Sequence, residues 1–567
     1  MDLTDVPQLV RNADRFREVV TVLGKHGLAD WLANVPVSWL DRFRGPLGDD
    51  GLTTHARIRV AMTELGTTFI KLGQVLSTRP DLIGEPLSLE LAQLRANTPA
   101  DRPETVISMV QSELGAPIEE LFGEFDPVAF ASASIGQVHH ARTLQGKHVV
   151  VKVQHAGIER RIVNDLEIIE KLCEIAEQQS NQLQQYRPVK TVREFSKSLS
   201  NELDFGRELK NMQRFRRNFE TAEGIRFAQP YPELSSRRVL TMECFEGISV
   251  SEKPQLDATG FDLDQIACRG ANVFLDMIFR DGFYHADPHP GNLMILLDQE
   301  STAPQDSADP TVPLPTIGIL DCGMVGRIDD QLREDLELSL IASVGRDAKK
   351  IAEVVARVGE VPSDFDEPAM LSAIEDLIDD YGQQSLQDFD LSGCLRDIVA
   401  IIRDHRVYLP AKVAMLLKLL VMLEGTAHQL SPRFNLVELI TPYAKKAMLR
   451  RFSPRHLYSR LKSNADDWQN LFGILPKDVA DILTNLKRGK FDIHLQHRRL
   501  EPIVNRLVMG ILAAALFVGS ASLWSNQVPP MIGGFSLPGF AGCLIAVVMG
   551  YRISRDIRRS SRSSMND

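Results

Sequence analysis

At 567 residues, with 44% hydrophobic and 25% charged positions, the chain has the make-up of a globular protein long enough for two or more domains. Its net charge of −11 disfavours bulk nucleic-acid binding. Six cysteines, at 173, 244, 268, 322, 394 and 543, form no CxxC and no paired spacing, which argues against a disulfide framework or zinc site and for a reducing compartment. The opening Met1-Asp2-Leu3-Thr4-Asp5 is acidic and has no apolar core, so it reads neither as a secretory signal nor as an Arg-rich transit peptide.

Up to about residue 50, apolar positions recur at helical spacing, with a Pro-Leu-Gly break near Pro46. One longer helix is predicted from Thr53 to Ser77, closed by Arg79-Pro80, and a short one near Leu87 to Leu94. The first carries Lys71-Leu72-Gly73-Gln74, and its Lys71 and Gln74, three apart, share a face. Taken alone, that face reads as a solvated polar edge.

From about Asp101 the pattern changes to one helix and then strands. The stretch Val128 to His139 includes Ala131-Ser132-Ala133-Ser134-Ile135-Gly136-Gln137-Val138 and stands where a kinase places its phosphate-binding loop. His148 to Val153 reads as a buried strand carrying one lysine, Lys152, which calls for a carboxylate partner because lysine is rarely buried alone. The partner is expected on a helix predicted over Val192–Phe215, where Glu202 and Glu208, six apart, do not share one face and so suit two separate jobs. Val239 to Glu243 resembles the strand that leads into a kinase hinge, with Gly247 beyond it, and a helix from Asp262 to Arg280 follows.

The chemistry is concentrated next. In His285-Ala286-Asp287-Pro288-His289-Pro290-Gly291-Asn292 an Asp stands five residues before an Asn, and Ile319-Leu320-Asp321-Cys322-Gly323 places a second Asp ahead of Gly after a short apolar strand. That is a phosphoryl-transfer arrangement: Asp287 nearest the transferred group, with Asn292 and Asp321 as oxygen ligands suited to hard Mg²⁺. Between these two motifs, Asp298 to Pro315 is polar and Pro-rich, the composition of a flexible surface insertion. Asp329 to about Asn435 is predicted to be helical throughout.

The C-terminal part is basic and then apolar. Lys445, Lys446, Arg450, Arg451, Arg455, Arg460 and Lys462 precede two uncharged stretches, Leu507–Trp524 and Met531–Tyr551, each long enough to cross ~30 Å of hydrocarbon. Pro529-Pro530 reads as the tight turn between them. Arg498, Arg499 and Arg506 flank one outer end and Arg552, Arg555, Arg558, Arg559 and Arg562 the other, so both ends are expected on the cytoplasmic side of a multi-pass hairpin. Gly510 with Ala514, and Gly542 with Ala546 and Gly550, have the spacing that lets membrane helices approach closely.

Lys71-to-Gln74, the loop ending Ser134-Ile135-Gly136-Gln137-Val138-His139, Lys152, Glu202-Leu203-Asp204, His285-to-Asn292 and Asp321-Cys322-Gly323, in this order, resemble the UbiB/ADCK family of atypical kinases over roughly residues 55 to 440. Ser132 makes the loop slightly less alanine-rich than is usual there. The resemblance implies an α+β, protein-kinase-like two-lobed fold, with an N-terminal helical extension over residues 1–100 and the kinase-like domain over 101–440. The lobes divide near 247; a basic juxtamembrane region (441–502) and a transmembrane helical hairpin (503–567) follow, placing the chain in a bacterial inner membrane.

It also implies ATP and Mg²⁺ as cofactors, with Lys152 on the α/β-phosphates, Glu208 as its ion-pair partner, and the 131–138 loop and Glu243 as further cofactor-binding positions. Glu202 and Asp204 would engage Lys71 of a helix covering the cleft, Asp287 would be the catalytic-loop Asp, and Asn292 and Asp321 the metal ligands. The implied role is ATPase or atypical kinase activity supporting ubiquinone biosynthesis, with membrane lipid, quinone precursors and other ubiquinone-biosynthesis enzymes as partners. An alternative is a non-catalytic, nucleotide-gated membrane adaptor. A small-molecule kinase of the aminoglycoside or choline type shares the Asp and Asn spacing but predicts neither the Lys71 helix nor a membrane hairpin.

Overall fold

The computed structural model describes residues 13–28, 52–94, 98–179, 187–297, 315–382, 384, 389–451, 500–526, 528–532 and 535–563. The acidic first residues, the break near Pro46, nearly all of the polar insertion and most of the basic region, including Arg455, Arg460, Lys462, Arg498 and Arg499, lie outside them. The chain divides into two compact units, Met1–Leu457 and Tyr458–Asp567.

The first unit has the α+β, two-lobed arrangement expected. Its upper lobe is an antiparallel sheet of five strands, β1 (Phe122–Phe125), β2 (Ala131–Ser132), β3 (Gly136–Thr143), β4 (His148–Gln154) and β6 (Val239–Glu243), in the order β1-β3-β4-β6 with β2 paired to β3. Strand side chains alternate between faces. In β4, Val149, Val151 and Val153 enter a core capped by Val106 and Val110 of the helix Pro103–Leu114. Val150, Lys152 and Gln154 consequently share the opposite face, and Lys152 points into the cleft.

Below lie a four-stranded sheet, ordered β5 (Ile225–Phe227), β10 (Thr316–Ile319), β9 (Leu293–Leu296), β7 (Gly247–Ser249), and a two-stranded ribbon of β8 (Phe283–His285) with β11 (Val325–Arg327). The pairing of β9 with β10 brings Asn292 and Leu320 together, since the Leu320 N–H donates to Asn292 O at 2.9 Å. The ribbon sets His285 opposite Val325. Helices from Asp330 to Arg451 complete this lobe, among them Ala411–Leu430, which packs against Leu263–Asp276.

Three predicted elements are corrected. The helix expected over Thr53–Ser77 is two helices, Thr54–Leu65 and Thr67–Leu76, because Gly66 takes φ +93°, a conformation closed to most residues with a Cβ. The helix expected over Val192–Phe215 is also two, Pro188–Glu202 and Phe205–Asn218. Asp204 ends the continuity: it takes an extended conformation and its side chain caps the second helix. The helix expected from Asp262 to Arg280 is α-helical over Leu263–Asp276 and closes with a wider π-turn, Met277–Asp281. The N-terminal helices share one core with both lobes: Leu65, Phe69, Leu72 and Leu91 are buried in the same cluster as Leu199, Phe205, Phe215 and Phe283.

In the second unit a helix Leu500–Ser525 and a helix Leu537–Ser563 flank a short pair of strands, Met531–Ile532 with Phe535–Ser536. Val508–Ser525 is long and apolar enough to cross a bilayer, and Val508, Ile511, Leu512, Phe517 and Val518 are exposed on it. The second expected span is corrected. Met531–Ile532 pairs with Phe535–Ser536 as strands, so the uncharged helical part is only Leu537–Gly550. The two helices touch through Ser520, with Gly542 so close that a Cβ there would lie 2.0 Å from Ser520 Oγ and 2.9 Å from Ser520 Cβ, and Ala546 is buried. Gly510 and Gly550 face open space, and it is Ala513, not Ala514, that is buried.

Candidate active site

Four carboxylates, Glu202, Glu208, Asp287 and Asp321, and three lysines, Lys71, Lys152 and Lys418, meet where the lobes face each other. Lys152 Nζ donates to Glu208 Oε2 at 2.9 Å and Oε1 at 3.3 Å, and lies 3.7 Å from Asp321 Oδ2 and 5.1 Å from the centre of the Phe205 ring. Burial opposes the charge on Lys152, but Asp321 and Glu208 outweigh it and raise its pKa. The two carboxylates around it differ. Lys152 lowers Asp321 to about 2, whereas burial pushes Glu208 up to about 7 against the pull of the same lysine. Asp321 is therefore the firmly ionised oxygen donor, and Glu208 is the buried anchor that holds the lysine in place.

Asp321 sits at φ +45°, a left-handed conformation uncommon for a residue with a Cβ, with Oδ1 accepting from Gly323 N at 3.1 Å. Two contacts hold that turn. His285 Nε2 donates to Asp321 O at 2.8 Å, and Asn211 Nδ2, from the Glu208 helix, donates to Cys322 O at 3.1 Å. His285 is fully buried, and its Nδ1 accepts from Asp287 N at 3.2 Å. One imidazole thus ties the Asp287 loop to the Asp321 turn, with the proton assigned to Nε2 by its carbonyl neighbours.

Asn292 Nδ2 donates to Asp287 O and to Asp287 Oδ2, both at 3.1 Å. That orientation leaves Asn292 Oδ1 able to serve as a neutral oxygen ligand, with the Asp321 carboxylate as the ionised one. The donor set fits Mg²⁺, which takes hard oxygens and completes its shell with water and phosphate. Among the described residues no cluster of three or more His, Cys, Asp or Glu side chains forms an all-protein metal cage, and a phosphate-bridging ion needs none.

The covering helix Thr67–Leu76 reaches the same place. Lys71 Nζ donates to Glu202 Oε2 at 2.7 Å, with both side chains mostly buried. The expected second partner is corrected: Asp204 Oδ1 accepts from Gly206 N at 3.0 Å and serves as the helix cap. Glu202 and Glu208, on successive helices, thus serve Lys71 and Lys152 respectively. The other two motif residues have plain packing reasons. A Cβ on Gly73 would stand 2.2 Å from Leu94 Cδ1 and 2.8 Å from Met62 Sδ, and Gln74 Nε2 donates to Leu94 O at 3.0 Å.

The Ala131–Val138 loop is a tight hairpin rather than an open phosphate cradle. Ala131 and Ser132 pair with Val138 and Gln137, Ala133 N donates to Gly136 O at 2.8 Å, and Ser132 Oγ donates to Thr98 O at 2.7 Å. His155 supports it, its N donating to Ile135 O and its Nε2 lying 3.0 Å from Ala133 O. Ser134 and Ile135 are buried at the bend, and Gly136 is required where a Cβ would stand 2.6 Å from Val153 O. Glu243 is turned aside: its carboxylate accepts from Arg226 and, at 3.1 Å, from Gln229 N, while its own N–H donates to Gln229 O at 2.8 Å.

Sequence reasoning missed Lys418. On the helix Ala411–Leu430, it lies 3.8 Å from Asp287 Oδ1. Burial lowers its pKa, opposed chiefly by Asp287. A lone lysine inside Met415-Leu416-Leu417-Lys418-Leu419-Leu420 was the available signal, the same one that marked Lys152.

Comparison with known proteins agrees with this geometry. The ABC1 atypical kinase-like domain matches residues 93–355, the UbiB helical domain residues 374–435, and the ABC1/UbiB kinase-like C-terminal domain residues 492–559. A probable protein kinase UbiB of Pseudomonas putida is 32% identical over 523 residues, covering 91% of this chain and 93% of its own. An uncharacterized protein in the hydrogenase 1 5′ region of Clostridium pasteurianum is 30% identical over 557 residues, covering 96% and 99%. The solved structure of Rv3197 with erythromycin from Mycobacterium tuberculosis, 22% identical, covers 62% of this chain and 92% of that one at a TM-score of 0.39, too distant to add to the argument.

Proposed function

The chain belongs to the ABC1/UbiB atypical kinase family, and from that premise we propose that it is a membrane-anchored, Mg-ATP-dependent ATPase or atypical kinase that supports ubiquinone biosynthesis. The observation that carries the reading is the convergence of Lys152, Glu208 and Asp321 beside the Asp287–Asn292 loop. Bound Mg²⁺ supplies charge neutralisation across the phosphates. Lys152, anchored by Glu208, holds the α/β-phosphates, while Asp321 and Asn292 hold the metal. Asp287 orients the attacking group, its carboxylate fixed by Asn292 and its backbone by His285.

The covering helix favours ATPase over protein-kinase activity. Lys71, paired with Glu202, acts electrostatically on both Asp321 and Lys418, and in this reading its helix takes up the space a substrate peptide needs. The exposed apolar helix Val508–Ser525 supports attachment to a bilayer, where quinone precursors and the enzymes that process them reside. Mg²⁺-dependent ATP turnover by the detergent-purified chain, together with quinone-intermediate profiling of a deletion strain, tests the proposal. Normal quinone content in that strain contradicts the biosynthetic role.

A further inference from the structure

We propose that Lys418 is the cation that receives the terminal phosphate of the bound nucleotide, a role the catalytic loop itself does not fill. This inference rests on the Mg-ATP reading above. The loop Asp287-Pro288-His289-Pro290-Gly291-Asn292 contains no Lys or Arg, and His289 is exposed with its Nδ1 accepting from Gly291 N at 3.1 Å. Transfer or hydrolysis of a terminal phosphoryl group spreads negative charge next to Asp287, an anion, so a cation is required there.

Three lysines, from three separate elements, enter the cleft. Lys71 is held by Glu202 at 2.7 Å and Lys152 by Glu208 at 2.9 Å. Lys418 is the loosest of the three, 3.8 Å from Asp287, with its side chain only 20% exposed. Its helix otherwise places Leu416, Leu419 and Leu423 in the core, so an ammonium there carries a desolvation cost that packing does not explain. The same helix grips the loop a second time, since Thr426 Oγ donates to Pro288 O at 2.9 Å. Lys418 and Asp287 are thereby held in register, with Lys71 and Glu202 near enough to act on the Lys418 charge electrostatically.

The test is direct binding of Mg-ATP and Mg-ADP to the full-length chain in detergent, wild type against Lys418→Met, Lys418→Gln and Lys418→Arg, with melting temperatures measured alongside. Loss of a charge-assisted phosphate contact is expected to weaken ATP about tenfold or more while ADP stays within about twofold. Turnover falls in kcat, and Lys418→Arg recovers part of the ATP preference. Equal losses for ATP and ADP, or none for either, overturn the assignment and leave Lys418 as a counter-ion to Asp287 alone. If Lys418→Met does not fold, Lys418→Gln removes the same charge and gives the same comparison, with Lys418→Arg as the charge-keeping control. Should wild type bind neither nucleotide, the Mg-ATP reading fails first, and this inference with it.

Discussion

Lys71 Nζ lies 2.7 Å from Glu202 Oε2, joining a helix of the N-terminal extension to the helix that leads, through the Asp204 cap, into the one bearing Glu208. The ion pair therefore links the cover of the cleft to the element that positions Lys152. Both side chains are mostly buried, so removing one leaves the other charge poorly solvated, a larger loss than a surface pair suffers.

Lys71→Ala is accordingly expected to loosen the cover and expose the cleft. Autophosphorylation with labelled ATP should rise above wild type, while quinone content of cells carrying the variant should fall. Wild-type levels of both would reduce the helix to a surface segment without an inhibitory role.

Gly73→Ala tests the seating of the same helix. The added methyl meets Leu94 Cδ1 at 2.2 Å and Met62 Sδ at 2.8 Å, and Leu94 is buried. Overpacking of this kind costs about 1–3 kcal/mol, so a lower melting temperature is expected, with a rise in autophosphorylation parallel to Lys71→Ala. An unchanged melting temperature would show that the neighbours yield freely.

How far these contacts were legible in the sequence differs from residue to residue. Lys152 announced itself because a charged residue inside a valine run needs a partner, and Asp287, Asn292 and Asp321 because their spacing serves one chemistry. The partner of Lys71 was only half legible: Glu202 and Asp204 are both acidic and two residues apart, and nothing in the composition says that the Asp204 carboxylate accepts from Gly206 N. Gly66 and Asp204 broke helices that hydrophobic periodicity alone had joined. Lys418 gave little sign in the sequence because it lies 131 residues beyond Asp287, and only the packing of the helix Ala411–Leu430 brings them together.

Asp321 gives the acid dependence its sign. Its pKa is lowered, to about 2, chiefly by Lys152, so the stability it contributes is fully present above about pH 4 and is lost as pH falls toward 2. Its side chain is 51% exposed, and after discounting for solvent screening the contribution is about 1 kcal/mol. Denaturant unfolding from pH 5 down to pH 2 should therefore show a shallower acid decline for Asp321→Asn than for wild type. Parallel curves would mean that the carboxylate gains nothing from Lys152.

Membrane attachment has its own test. A chain ending before Ile503 lacks the exposed apolar helix Val508–Ser525 and should be released from membranes by high salt, since screened charge alone retains it. The full-length chain should resist both salt and carbonate. Extraction of the full-length chain by carbonate would remove the anchor from the account.

The central claim is tested most directly by titrating ATP into the detergent-purified full-length chain with and without Mg²⁺, for wild type, Asp321→Asn and Asp287→Asn. Wild type should bind ATP in a Mg²⁺-dependent manner, Asp321→Asn should lose that binding while keeping a native circular dichroism spectrum, and Asp287→Asn should bind normally but not turn over. Unchanged Mg²⁺-dependent affinity in a folded Asp321→Asn protein would contradict the assignment of this cluster as the nucleotide and metal site.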